Sequence, residues 1–318
     1  MPANDPSPGA PAPSAAAVWT ALGTVYLVWG STYLAIRVTV NGLPPFLSAG
    51  LRFTCAAAVL AVVLGIRRPG ALRVTPRQAA AAALVGLLLL CGGNGLVVLA
   101  ETARVGVPSG VAALLVAVVP LLVVVLRAGT GDRPPAATLA GVLVGFGGLV
   151  LLVLPGRGVA APLGGALLVV AAAASWSVGS FLSGRLPLPA YPFAATVYEM
   201  AAGGLALLTL AAGTGELSGF DPSAVPARAW AGLAYLLVAG SLVAFTAYVW
   251  LLHHAPLTLV STYAYVNPVV AVALGALLLA EPVGPRMLIG GGIVVAGVAL
   301  VVSTERPGRR PAPDHRTG

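Results

Sequence analysis

Residues 255–281 read APLTLVSTYAYVNPVVAVALGALLLAE. The run is long enough to cross a bilayer, which takes about 20 apolar residues, yet its first half carries Thr258, Ser261, Thr262, Tyr263, Tyr265 and Asn267. A spanning helix that is polar at one end and apolar at the other faces something wet. At helical spacing Thr258, Ser261, Thr262 and Tyr265 share one face, and Tyr263 lies one turn before Asn267. Pro268 brings no backbone donor, so the Ala264 carbonyl is left for a neighbour, water or a ligand. Polar, interrupted helices near the bilayer midplane are where transporters bind substrate.

The rest of the chain is apolar to the same degree. Of 318 residues 58% are hydrophobic and 8% are charged, whereas soluble domains carry about 25% charge. The composition is that of an all-α integral membrane protein whose principal partner is the lipid bilayer. Every one of the 17 basic residues is arginine. The net charge of +8 therefore rests on a few loop positions and does not point to nucleic acid. Cys55 and Cys91 sit inside apolar runs, where packing is a better account than disulfide or redox chemistry.

Residues 1–17 form a Pro/Ala/Ser tail without a basic start, read as disordered and not as a cleaved signal. Apolar runs of spanning length then recur near 18–40, 45–66, 78–99, 105–127, 137–154, 162–184, 192–212, 229–251, 257–280 and 286–303, which predicts ten helices. A basic tail, 304–318, follows. One set of alternate loops holds eleven arginines: Arg67, Arg68, Arg73, Arg77, Arg127, Arg133, Arg185, Arg306, Arg309, Arg310 and Arg316. The other set holds Arg104, Arg157, Arg228 and Arg286. This asymmetry places both termini in the cytoplasm, with Arg37 and Arg52 inside helices one and two.

Features of the first half recur in the second at a nearly fixed offset. Trp29 is followed by Trp176, Pro45-Phe46 by Pro192-Phe193, and Arg52 by Glu199, each 147 residues later. Pro108 and Pro120 precede Pro256 and Pro268 by 148, and Gly141 and Gly148 precede Gly290 and Gly297 by 149. Two units follow, 18–157 and 158–303, each with five helices. Five is odd, so the second unit enters the membrane in the opposite sense, giving a 5+5 inverted repeat of the sort that supports alternating access.

WGSTYLAIR at 29–37, LRF at 51–53, the helix between Pro108 and Pro120, STYAYVNPVVAV at 261–272, Glu281 just beyond it and a closing glycine-rich helix resemble the EamA-type branch of the drug/metabolite transporter superfamily. The similarity covers about residues 18–303. It implies ten helices, cytoplasmic termini in the plasma membrane, and export of a small molecule such as an amino acid or a drug. Small multidrug members of that superfamily carry a carboxylate in their first helix. This chain has none there, which leaves the coupling ion open.

The site candidates are polar or aromatic residues in mid-helix. Trp29 and Thr32 share a face of helix one, and Trp176 lies in a serine-rich stretch with Ser180. Each indole either packs against neighbouring helices or walls a cavity for a flat or apolar substrate. Asn94, between Gly93 and Gly95, serves a ligand or an interhelical hydrogen bond. Tyr263, Tyr265 and Asn267 complete the expected substrate-binding set, with Asn267 alternatively satisfying the backbone defect at Pro268. Pro120 and Pro268 are read as paired helix breaks. Arg52 and Glu199 lie near opposite mouths as separate gating or coupling groups, since entry from opposite sides separates them in depth by about 10 Å. The expected cavity is lined by helices one, three, four, six, eight and nine. The glycines of helices five and ten suit packing within the fold or across a homodimer.

His253 and His254 are adjacent and make a poor metal pair, so no metal site or cofactor is expected. The absence of HExxH and GxSxG, with Glu199 as the acid placed within a helix, argues against an enzyme. A passive channel, or a flippase for a lipid-linked substrate, would use a similar lining. The repeat favours a secondary transporter exporting a small organic metabolite by alternating access.

Overall fold

The computed structural model describes residues 14–131, 134–153, 161–255, 257–260 and 262–304. The expected tails (beyond Ser14 and Thr304), Arg133, Arg157, Pro256, Ser261 and the side chains of His253 and Thr258 lie outside the described residues.

Proline fixes several helix starts, because its backbone is preset for the first turn and its missing N–H is not needed there. α1 is Ala15–Val40 and α2, opened by proline, is Pro45–Arg67. α3, Pro76–Gly86, has a capping box in which Thr75 and Gln78 satisfy each other's backbone N–H. A π-helical segment, Leu87–Asn94, carries it into α4, Gly95–Ala100. α5 (Ser109–Val116), α6 (Val119–Gly129) and α7 (Ala136–Val153) complete the first half. α8 is Leu163–Ser183 and α9 is Pro192–Gly213. α10 (Ala227–Tyr235) continues through a second π-helical segment, Leu236–Val243, into α11 (Ala244–His254). α12 (Leu257–Val260), α13 (Tyr263–Leu279) and α14 (Pro285–Thr304) close the chain.

Every described element is helical. Among the described residues seven helical runs are long and apolar enough to cross a membrane: Pro45–Arg67, Pro76–Ala100, Ser109–Gly129, Leu163–Ser183, Pro192–Gly213, Ala227–Leu251 and Pro285–Thr304. Ala136–Leu152 and Tyr263–Leu279 are apolar but shorter. α1, with Thr, Ser, Tyr and Trp interleaved along it, is not among the seven. The expected ninth helix is described as α12 and α13, with Ser261 between them outside the described residues, and α13 runs unbroken through Pro268.

The glycines of α7 and α14 are used inside the fold. A Cβ on Gly148 would stand 2.7 Å from the Gly290 carbonyl, and one on Gly297 would stand 2.5 Å from the Gly145 backbone nitrogen. α2 and α9 meet in the same way, with a Cβ on Gly204 reaching 2.7 Å from the Thr54 nitrogen. In lipid there is little hydrophobic gain between helices, so close backbone approach and dispersion hold such pairs together. Each of these pairs joins a helix of the first half to the helix at the equivalent position of the second.

Candidate functional site

The two π-helical segments organise the interior. In π geometry the i→i+5 pattern displaces carbonyls from their usual partners, and side chains from the opposite half take them up. Trp29 on α1 donates its indole N–H to the Gly240 carbonyl at 3.2 Å. Ser175 on α8 donates its hydroxyl to the Leu88 carbonyl at 2.7 Å. Trp176 beside it lies over Gly93, where an added Cβ would stand 2.8 Å from the ring carbon Cε3. Gly93 and Gly240 are separated by the same 147 residues as Trp29 and Trp176.

A small cleft with about 10 Å³ of free space, room for roughly one water, lies beside these segments, lined by residues that include Thr39, Ser48, Arg52, Asn94 and Leu236. The sequence-predicted Arg52 and Asn94 are thus brought together. Arg52 is 7% exposed. Its Nε–H donates to Ser241 Oγ at 2.9 Å, the Ser241 hydroxyl reaches the Leu236 carbonyl, and the guanidinium lies 4.7 Å from the Phe53 ring centroid. Asn94 Oδ1 is buried without a partner among the described residues. The lining comes from α1, α2, α4 and both π-helical segments, so α2 joins the expected set.

A second group closes around Trp29. Its ring centroid is 5.0 Å from Tyr248 and 5.3 Å from Tyr263, which are themselves 5.7 Å apart in an edge-to-face arrangement. The Tyr26 and Thr262 hydroxyls are hydrogen-bonded across the α1–α13 contact. Thr32 donates its hydroxyl proton back to the Trp29 carbonyl, leaving its oxygen able to accept. Asn267 is 9% exposed, and its Oδ1 has no partner among the described residues. Tyr265 is half-buried against the main core.

Ser180 and Glu199 stand apart from both groups. Glu199 is half-buried on α9, where its backbone presses on Gly86 so closely that a Cβ there would meet the Glu199 carbonyl at 2.1 Å. Arg52 is anchored on Ser241, and no bond joins it to Glu199. The two prolines differ: Pro120 sits in the first turn of α6 after a break at Ala117–Val118, whereas Pro268 is inside α13. A proline inside a helix is tolerated where neighbours satisfy the freed carbonyl.

Sequence reasoning missed the acids outside the spans. Glu281, after α13, accepts the Ser109 N–H at 2.9 Å, the Ser109 hydroxyl at 3.0 Å and the Gly110 N–H at 3.2 Å, capping α5. Glu216 caps α2 through the N–H groups of Phe46 and Leu47 at 3.2 and 2.8 Å. Glu101, in the connection after α4, is 0% exposed, and neither carboxylate oxygen has a hydrogen-bond partner among the described residues. Burial pushes its carboxyl well above the usual range, with the Glu281 charge acting in the same direction and Arg37 opposing. Among the described residues no group of three His, Cys, Asp or Glu could hold a metal ion.

The profile of the EamA-like transporter family matches twice, over residues 16–154 and 163–303. The chain is 37% identical over 282 residues to the "Uncharacterized inner membrane transporter YedA" of Escherichia coli, covering 88% of this chain and 89% of that protein. It is 33% identical over 297 residues to the "Probable terminal-alkyne amino-acid exporter" of Streptantibioticus cattleyicolor, covering 90% and 93%. A crystal structure of a protein 24% identical in sequence shares the fold with a TM-score of 0.59, over 90% of this chain and 96% of that one.

Proposed function

The chain belongs to the EamA-like transporter family of multi-pass membrane proteins, and from that premise we propose that it is a secondary exporter of a small organic metabolite, amino acids being the first class to test. In this reading ten spans form a 5+5 inverted repeat, 18–157 and 158–303, with both termini in the cytoplasm. The two halves rock about the π-helical segments. The observation that carries it is the paired seating of Trp29 on Gly240 and Trp176 on Gly93, one indole from each half against the π-helical segment of the other. Two contacts at matching places in the repeat, one a hydrogen bond and one a packing contact, would let one end close as the other opens.

The polar groups lining this cleft support an amino-acid substrate, admitted as the two halves move apart and widen it. Arg52 commits its Nε to Ser241, and no acceptor among the described residues binds its two Nη groups. A buried guanidinium with a free fork suits a carboxylate. The unpartnered Asn94 Oδ1 on the same cavity offers an acceptor for an ammonium group. The Streptantibioticus relative, named as an amino-acid exporter, supports the same class. With cytoplasmic termini the cavity lies towards the outside, and the Trp29, Tyr248 and Tyr263 cluster with the Tyr26–Thr262 contact closes the path from the cytoplasm. Trp176, Ser180, Tyr265 and Asn267 would meet substrate as that path opens, with Glu199 near the inner mouth.

Efflux from proteoliposomes loaded with a panel of amino acids, nucleosides and cationic drugs tests the reading. Selective amino-acid release that is lost in Arg52→Gln and Trp176→Ala supports it. Release of another class overturns the substrate assignment, and release of nothing by well-folded protein overturns the exporter.

A further inference from the structure

We propose that the cluster of Glu101, Arg37 and Glu281 is a proton-binding site, with Glu101 the group that takes up and releases the proton. The inference rests on the exporter reading and adds its coupling ion.

Glu101 is fully buried, and both of its carboxylate oxygens lack a hydrogen-bond partner among the described residues. An ionised carboxylate in that condition is among the costliest groups a fold can hold, and the usual relief is a proton. Its charged and titratable neighbours are Arg37 and Tyr33 on α1 and Glu281 after α13. Arg37 donates to the Glu101 backbone carbonyl, which ties the end of α1 to this connection without neutralising the carboxylate through a hydrogen bond.

The surroundings select a proton over a metal cation. A hard cation gathers several oxygen ligands. Both Glu281 oxygens are already engaged by Ser109 and Gly110, and the Arg37 guanidinium repels a second cation. A proton needs a single oxygen: it arrives from water, forms an O–H bond on one Glu101 oxygen and leaves a neutral acid.

The consequence for coupling follows from which half each acid belongs to. Glu101 lies in the first family match and Glu281 in the second. When Glu101 is ionised the two like charges repel through a poorly screened interior, which weakens the seat of Glu281 on the α5 N-terminus. When Glu101 is protonated the repulsion vanishes and Glu281 ties the α13–α14 connection to α5. Proton occupancy thereby biases a contact between the two halves.

The test is an infrared pH titration of the full chain in lipid, reading the carbonyl stretch of protonated carboxylic acids. A component that bleaches as pH rises, with a midpoint above ordinary carboxylates, is expected in wild type. It should be missing in Glu101→Gln and retained in Glu199→Gln. In Glu281→Gln, whose amide oxygen keeps one of the two acceptor positions on α5, the same component should titrate about 1 pH unit lower, since a like charge is gone. That arm keeps Glu101 in place and stands even if Glu101→Gln fails to fold. Lack of a Glu101-dependent component, or a midpoint unmoved in Glu281→Gln, overturns the proposal. So does a midpoint that moves when sodium replaces choline at constant ionic strength, which makes this a metal-cation site. The titration needs no substrate, so its outcome stands apart from that of the efflux assay.

Discussion

The indole N–H of Trp29 is bonded to the carbonyl of Gly240 at 3.2 Å, joining α1 of the first half to the π-helical segment of the second. Trp29→Phe keeps an aromatic ring against Tyr248 and Tyr263 but removes the donor. A single hydrogen bond contributes about 1 kcal/mol, so the thermal midpoint should fall only slightly. Efflux should fall far more, because the bond also sets how the halves meet. Equal losses in both measurements would make Trp29 a packing residue.

Gly86 and Gly23 form a matched pair. A Cβ on Gly86 meets the backbone carbonyl of Glu199 at 2.1 Å, and backbone cannot swing aside as a side chain does. Gly86→Ala should therefore separate α3 from α9 and destabilise by about 3 kcal/mol or more, beyond ordinary overpacking. Gly23→Ala, with nothing within 4 Å of its Cβ, should stabilise α1 by about 0.5–1 kcal/mol. Thermal unfolding in detergent separates the two.

Much of the framework is legible in the residues. The apolar runs locate the helices, and the recurrence of Trp29 in Trp176 and of Gly141 in Gly290 marks helices that occupy matching places. The acids are not legible, for a physical reason. Glu101 stands in a short connection, where a carboxylate reads as solvated, and only its burial in the fold, against neighbours such as Arg37 of α1, removes the water. Glu281 is visible as a residue just beyond an apolar run, but its partner Ser109 is 172 residues away. The π-helical segments are hidden as well, since a single altered turn leaves the 3.6-residue pattern of Leu87–Asn94 nearly intact. Pro268 reads as a helix breaker in the sequence, yet it lies inside α13.

Glu281→Ala leaves the N–H groups of Ser109 and Gly110 and the Ser109 hydroxyl without their acceptor. Loss of a helix cap costs about 1–2 kcal/mol, and hydrogen exchange at the start of α5 should rise while that of α7 stays unchanged. Glu281→Gln should retain part of the protection, since its amide keeps one of the two acceptor oxygens.

Stability should depend on pH through Glu101. An unfolded glutamate ionises near about 4.3, whereas the buried Glu101 stays protonated well above that. Between the two values the folded chain holds more protons than the unfolded chain, so stability is fully present below the unfolded pKa and is lost as pH rises through the folded one. The thermal midpoint in detergent should fall across this window, and Glu101→Gln should flatten the slope. A slope of the same size in both proteins would assign it to another group.

Alternating access is the central claim, and reciprocal accessibility tests it most directly. With Cys55 and Cys91 replaced by serine, Thr39→Cys reports on the cavity and Thr262→Cys on the closed side near Tyr26. Each is labelled in proteoliposomes by an impermeant thiol reagent from its own side, with and without the amino acid released in the efflux assay. The account predicts that conditions raising the labelling rate at one position lower it at the other. Rates that rise and fall together would describe a channel and contradict it.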